Sequence, residues 1–182
     1  MRGWWGKSMP GIPMSLALAL TLACALTLAA LPAWAQRPCL SDDPDTAIRA
    51  CTIDIVSPPD PNGVASSYVS RGRAYMKKGL GDQAMADFEK AIGIDPEAQA
   101  AYGNLGLIYY DLRQYDLALA NFTKAIELAG PDAHSIDYLR RGVAYEASGA
   151  RGKAIADYQT ALKLDPNDEE SRKGLQRLRT PP

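Results

Sequence analysis

The sequence predicts an all-α fold: a right-handed α-solenoid of three helix pairs, with a leading half-repeat helix and a C-terminal capping helix. The first observation behind this prediction is internal repetition, since Tyr75, Tyr109 and Tyr145 mark three similar segments at steps of 34 and 36 residues. The second is that apolar residues within each segment recur at the three- and four-residue spacing of a helix face. The composition, 47% hydrophobic and 23% charged, is that of an ordinary globular protein.

Residues 1–35 have the pattern of a secretory signal peptide. Arg2 and Lys7 supply a positive start, residues 14–31 form an apolar run, and no acidic residue interrupts the segment. An uncleaved membrane anchor is the alternative, because the 18-residue run lies at the lower end of the length that spans a bilayer.

The end of this segment predicts where the leader is removed. Ala33 and Ala35 are small residues at the spacing that a signal peptidase requires, so we expect cleavage between Ala35 and Gln36. A lipoprotein anchored through Cys24 is disfavoured, because the residues before that cysteine do not fit the lipoprotein pattern. The expected location of the mature protein is therefore the periplasm or the exterior of the cell.

Residues 36–63 are expected to hold one helix, about residues 44–56, followed by a proline-rich turn. Asp43 is suited to cap this helix and Pro44 to occupy its first position. Cys51 lies on its apolar face, and Cys39 precedes the helix closely enough for the extended chain to fold back. An even pair of cysteines in an exported chain favours a Cys39–Cys51 disulfide, with two separate buried thiols as the alternative.

Three repeats follow, at residues 64–98, 99–132 and 133–167, and a capping helix and tail occupy residues 168–182. Each repeat predicts two antiparallel helices in which a glycine and an alanine let the backbones approach. Their marker residues are an aromatic, a glycine, a tyrosine, an alanine, an aromatic and an alanine, with a closing proline in the first and third repeats. In order they are Tyr68, Gly72, Tyr75, Ala84, Phe88, Ala91 and Pro96; Tyr102, Gly106, Tyr109, Ala118, Phe122 and Ala125; and Tyr138, Gly142, Tyr145, Ala154, Tyr158, Ala161 and Pro166.

This spacing resembles the tetratricopeptide repeat family, over about residues 65–166. The resemblance implies stacked helix pairs whose first helices line a concave surface. Arg71 and Arg141 depart from the family pattern, which has leucine before the glycine, and we expect them to loosen the local packing.

By the same resemblance, the concave surface is a groove for a partner segment. Its apolar members are expected to contact the segment, and its polar members to fix the register of the segment. The candidate groove residues are Val69, Arg73, Asn104, Leu107, Tyr110, Leu139, Arg140 and Val143.

Some members of the family clamp the C-terminal carboxylate of a peptide with Lys, Asn, Asn, Lys and Arg from three successive first helices. At those positions this sequence has Val69, Arg73, Asn104, Ile136 and Arg140. Only the second Asn and the Arg match, and both lysines are replaced, so we do not expect a dedicated carboxylate clamp.

The sequence contains little that could carry catalysis. His134 is the single histidine, and the cysteines have no CxxC spacing, so no metal site, cofactor or catalytic residue is expected. A net charge of −1 disfavours nucleic acid as a partner.

We therefore expect a non-catalytic module that binds another protein or a peptide segment, with no insertion of the mature chain into a membrane. The alternatives are an accessory subunit of an envelope-assembly or enzyme complex, and a small-molecule carrier that uses the same groove. The capping helix or a neighbouring copy of the chain could also fill the groove.

Overall fold

A computed structural model describes residues 38–58 and 63–179 of the chain. The predicted signal peptide and its cleavage site lie outside these residues. The described residues fold into eight α-helices with no strand among them, which confirms the all-α prediction. In chain order the helices are α1 (Pro44–Val56), α2 (Val64–Lys77), α3 (Gly81–Ile94), α4 (Gln99–Asp111), α5 (Tyr115–Ala129), α6 (Ser135–Ala147), α7 (Arg151–Leu164) and α8 (Glu169–Arg179).

The helices pack in the order in which they follow one another along the chain. We call α2, α4 and α6 the first helices and α3, α5 and α7 the second helices of the three pairs. Each first helix packs against its own second helix, and each second helix packs against the next first helix. α1 packs against α2, and α8 packs against α7, so one extra helix covers each end of the stack.

A glycine in each first helix lies against an aromatic ring from the second helix of the same pair. A Cβ on Gly106 would lie 2.6 Å from ring carbons of Phe122, and one on Gly72 would lie 2.6 Å from Phe88. The two phenylalanines are 3% and 0% exposed, so their rings fill the space that the missing side chain leaves. The packing therefore confirms the predicted role of these glycines, which is to let the two helices of a pair approach closely.

Arg71 does not loosen the first pair, and the sequence-based expectation on this point is wrong. Its guanidinium donates from Nε and Nη2 to the two carboxylate oxygens of Asp87 in α3, both at 2.8 Å. Its Nη1 donates to Thr52 Oγ1 in α1 at 3.0 Å, and its cation lies 5.3 Å from the ring centroid of Tyr68. The arginine thus joins three helices through a bidentate, largely buried ion pair.

Arg141 repeats this arrangement in the third pair. It donates to both oxygens of Asp157 at 2.8 Å and to Thr123 Oγ1 of the preceding second helix at 3.4 Å. The second pair has no such ion pair, because Leu105 and Asn121 occupy the matching positions. Where the first and third pairs have an arginine and an aspartate, the second pair has a leucine and an asparagine. The two positions therefore change together, and each buried carboxylate has an arginine as its partner.

The turn inside each pair requires a left-handed backbone at its centre. Gly79 and Gly149 adopt φ values of 72° and 81°, as glycine does readily. Arg113 holds the matching place in the second pair at φ 58°. The repeat geometry thus imposes on Arg113 a conformation that a side chain disfavours.

The N-terminal end is closed by α1 and a short strap, residues 38–42. Asp43 caps α1 by accepting a hydrogen bond from the Thr46 N–H at 2.8 Å, as the sequence predicted. Cys39 and Cys51 form a disulfide with a Cα–Cα distance of 4.6 Å, and Cys51 is 0% exposed. The disulfide holds the strap against α1.

The C-terminal end is closed by α8, one residue later than expected. Its buried residues are Ser171 and Gly174, whereas its two leucines, Leu175 and Leu178, are half-buried. A Cβ on Gly174 would lie 2.5 Å from the Tyr158 ring. α8 therefore covers the last pair by close backbone approach to an aromatic ring. Within the described residues, no helix has both the length and the apolar character needed to cross a bilayer.

Substitution of Gly106 by alanine tests the glycine–ring contact. The added methyl group would collide with the Phe122 ring, so we expect a loss of about 2 kcal/mol in the free energy of unfolding. Gly103→Ala is the matched control in the same helix, because nothing lies within 4 Å of its Cβ position. Helix propensity should make this control neutral or more stable by up to about 1 kcal/mol. Urea denaturation measures both, and equal effects would contradict the packing account.

Removal of Arg141 tests the buried ion pair. Arg141→Leu leaves the Asp157 carboxylate buried and unpaired. We therefore expect the free energy of unfolding, measured by urea denaturation, to fall by about 3 kcal/mol. Adding Asp157→Asn recreates the Leu and Asn combination of the second pair and should recover most of that loss. A double variant no more stable than Arg141→Leu alone would show that the paired exchange has no energetic basis.

Candidate functional site

The stack of helix pairs curves toward its first helices. Neighbouring first helices contact one another, α2 with α4 and α4 with α6, whereas no contact joins neighbouring second helices among the described residues. The first helices therefore lie closer together and form the inner, concave side of the stack. α8 contacts α6 but not α2 or α4, so it continues the inner row, and no other helix of the described residues covers the middle of the concave side.

All eight predicted groove residues lie on the first helices. Val69 and Arg73 belong to α2, and the other six are divided equally between α4 and α6. Arg73 is exposed, and the other members are half-buried. A half-buried side chain keeps part of its surface for another molecule while its remaining atoms fix its position.

The apolar part of the groove is supported from beneath by the core. Leu107 and Tyr110 pack against a buried cluster of Ala118, Phe122 and Ala144. The Tyr110 ring also contacts the Tyr115 ring of α5, with 5.8 Å between centroids and a 53° angle between planes. Tyr110 is thus held as a rigid aromatic side chain at the middle of the inner surface, and such side chains are effective binding anchors.

The polar part of the groove contains two arginines that are free to bind another group. Arg73 and Arg140 form no hydrogen bond or ion pair within the described part of the chain. Asn104 instead donates from Nδ2 to the Ala100 carbonyl of its own helix at 2.7 Å, which occupies one of its donors. The structure therefore distinguishes two available cations from an amide that is partly engaged.

Glu146 occupies another inward position of α6, and its role is structural. It accepts from Arg177 Nε and Nη2 of α8, both at 2.9 Å, and from the Tyr158 hydroxyl at 2.5 Å. The hydrogen bond from Arg177 lowers the pKa of the Glu146 carboxyl, burial opposes this, and the Tyr158 hydroxyl adds to the lowering. The pKa of Tyr158 is raised by burial and then by its bond to Glu146. This three-residue network fastens α8 to the last pair.

The sequence did not indicate that the strap borders the groove. Residues 39–42 lie beside Ser70, Arg73 and Lys77 on the inner face of α2, and together they enclose a small pocket. The repeat pattern begins after the strap and so gave no sign of this contact. The cysteine pair was the only related signal, because it predicted that the chain folds back at this end.

Metal chemistry gains no support from the geometry. Across residues 38–58 and 63–179, no group of three or more His, Cys, Asp or Glu side chains is arranged to hold a metal ion. The acidic residues near α1 serve the helix cap and surface ion pairs instead.

Comparison with protein families identifies the repeats. Three family models match, each described as a tetratricopeptide or TPR repeat, at residues 72–113, 100–130 and 136–168. Together these matches cover about half of the chain and include part of each of the three helix pairs.

Curated relatives match over part of their length only. Serine/threonine-protein phosphatase 5 of Rattus norvegicus is 31% identical over 108 residues, which are 59% of this chain and 21% of the phosphatase. The Hsp70-Hsp90 organizing protein of Triticum aestivum is 31% identical over 112 residues, 62% of this chain and 19% of that protein. This chain thus spans about a fifth of the length of these relatives.

Solved structures share the fold. MamA of Desulfovibrio magneticus is 23% identical with a TM-score of 0.66, covering 75% of each chain, and it shows likeness of fold alone. The first TPR of Spaghetti (RPAP3), bound to the HSP90 peptide SRMEEVD, is 27% identical with a TM-score of 0.59 over 63% of this chain and 89% of that one. The second TPR domain of human RPAP3, in complex with the HSP70 peptide SGPTIEEVD, is 25% identical with a TM-score of 0.61 over 67% of this chain and all of that one.

The Glu146 network predicts an acid-sensitive attachment of α8. Because the folded-state pKa of Glu146 lies below the ordinary 4.5, its contribution is present above about pH 4.5 and is lost as the pH falls through the lowered value. Glu146→Gln should lower the free energy of unfolding at pH 7 by only about 1 kcal/mol, because Arg177 is half exposed. The difference from wild type should shrink toward pH 3. Urea denaturation at both pH values measures this. Glu89→Gln removes an exposed carboxylate of α3 as the control, and an equal effect there would argue against a specific network.

Proposed function

This chain belongs to the tetratricopeptide repeat family, and we propose that it is a non-catalytic module that binds a segment of another protein on its concave surface. The observation that carries the proposal is the middle of the inner row, which no other helix of the described residues covers. There the firmly held Tyr110 lies on the helix between those of Arg73 and Arg140, two arginines that have no partner among the described residues. An apolar anchor flanked by cations suits a peptide segment better than a small apolar ligand.

The peptide complexes of two similar structures support a peptide segment as the ligand. The two RPAP3 domains bind peptides that end in EEVD. In this chain, Val69 and Ile136 stand where a carboxylate clamp has lysines, so the proposed segment is bound along its length and not by its C-terminus. Leu107, Tyr110 and Leu139 would contact its apolar side chains.

The proposed setting is outside the cytoplasm, in the periplasm or secreted. The leader-like pattern of residues 1–35 supports it, and so does the Cys39–Cys51 disulfide, because disulfides persist in oxidising compartments. In this setting the partner would be an exported or envelope protein.

The binding proposal predicts which side chains dominate the affinity. Leu107→Ala combined with Tyr110→Ala should weaken partner capture by about a hundredfold, because desolvated apolar anchors usually carry most of the binding energy. Arg73→Ala alone should weaken it by about tenfold. The test is a pull-down from a crosslinked cell envelope followed by affinity measurement with the identified partner.

Leu117→Ala provides the control for that experiment, because this exposed leucine lies on a second helix, away from the inner row. It should leave capture unchanged. Loss of capture with Leu117→Ala, together with an unaffected Leu107 and Tyr110 variant, would place the partner on the outer side and contradict the proposal.

The export proposal predicts a defined N-terminus. Intact mass of the protein isolated from its native host should correspond to a chain that begins at Gln36 and contains one disulfide. A protein that retains residues 1–35, or that carries lipid on Cys24, would refute cleavage after Ala35.

A further inference from the structure

The strap and α2 together form a pocket at the first-pair end of the concave surface. The pocket has a volume of about 100 Å³, several times the volume of one water molecule in the liquid, roughly 30 Å³. The residues that line it come from the strap, from the first turn of α1 and from the inner face of α2. Those with polar side chains are Ser41, Asp42, Ser70, Arg73 and Lys77.

Two contacts hold the strap in this position. The Cys39–Cys51 disulfide attaches it covalently to α1. Lys77 Nζ of α2 lies 3.5 Å from the Asp42 carbonyl oxygen and 3.6 Å from its carboxylate. The Asp42 side chain is fully exposed, so this second contact is weak, and the disulfide is the principal restraint on the strap.

The pocket is rich in hydrogen-bond donors. Arg73 contributes a guanidinium that has no partner in the described chain, and Lys77 contributes an ammonium that is only loosely paired. Ser41 and Ser70 contribute hydroxyl groups, and the Ser41 oxygen accepts from the Asp43 N–H at 3.2 Å, which leaves its proton available. Among the described residues that line the pocket, these four donor side chains face one carboxylate, that of Asp42. A group that accepts hydrogen bonds and carries negative charge fits this chemistry.

We propose that this pocket receives an aspartate or glutamate side chain of the partner segment, with Arg73 as its main donor, and that the intact Cys39–Cys51 disulfide is required for the pocket to exist. The proposal rests on the proposed function, because the pocket lies at one end of the same concave surface. It adds the chemistry of one anchor point and a dependence on oxidation.

The pocket can be tested with a probe that does not depend on the identity of the partner. N-acetyl-aspartyl amide mimics an internal aspartate, and N-acetyl-asparaginyl amide is its neutral control. In an NMR titration of the oxidised, isotopically labelled protein, the aspartyl probe should shift the amide signals of Ser41, Asp42, Ser70 and Lys77 in a saturable way. The asparaginyl probe should not.

Variants and reduction complete the test. Arg73→Gln should weaken binding of the aspartyl probe about tenfold. Arg49→Gln, which removes an exposed arginine of α1 outside the pocket, should leave it unchanged. Reduction with dithiothreitol should abolish the saturable shifts, because the strap is then free to leave α2. No saturable shift, equal shifts with both probes, equal loss in the two variants, or unchanged binding after reduction would each overturn the proposal.

Failure of this inference is distinguishable from failure of the proposed function. The probe is a single capped residue that fits the pocket alone, whereas the proposed function is tested by capture of a partner on Leu107 and Tyr110. If the protein captures a partner but does not bind the probe, the proposed function stands and the pocket proposal is wrong. If it binds the probe but captures no partner, the pocket proposal stands and the proposed function is wrong.

Discussion

The close approach of a glycine in each first helix to an aromatic ring in the paired second helix is the constraint on which this structure depends. At Gly72, Gly106 and Gly142 a Cβ would lie less than 3.0 Å from a ring carbon of the partner helix. Repetition of this contact gives the three pairs the same packing, and Gly174 extends it to α8 by meeting the Tyr158 ring from the other side. Similar pairs stacked in sequence produce a row of first helices, and that row is the concave surface.

The two ends of the stack are fastened by different chemistry. At the N-terminal end a disulfide holds a strap beside the groove, whereas at the C-terminal end Glu146, Tyr158 and Arg177 fasten a polar helix that continues the inner row. Between these ends, the groove presents the aromatic ring of Tyr110 and two arginines that have no partner among the residues the structure describes. The groove thus brings an aromatic side chain and two arginines onto one surface of the stack.

Sequence periodicity predicted the helix pairs well, because a glycine and an aromatic residue repeated at a fixed spacing indicate closely packed pairs of helices. It failed at Arg71 and Arg141, where a departure from the family pattern suggested loose packing. Their partners, Asp87 and Asp157, lie 16 residues away on another helix, so the compensation becomes visible only in three dimensions. The contact of the strap with α2 was missed for a related reason, since no periodic pattern describes an irregular segment that folds back on a helix.

The central claim is that the row of first helices is the partner surface. Hydroxyl-radical footprinting of the protein, with and without the partner recovered by crosslinking, tests it directly because oxidation reports the exposure of each side chain. The account predicts protection of Tyr110 and Leu139 in the complex and unchanged oxidation of Leu117, which is 48% exposed on a second helix. Protection of Leu117 with unchanged Tyr110 and Leu139 would contradict it.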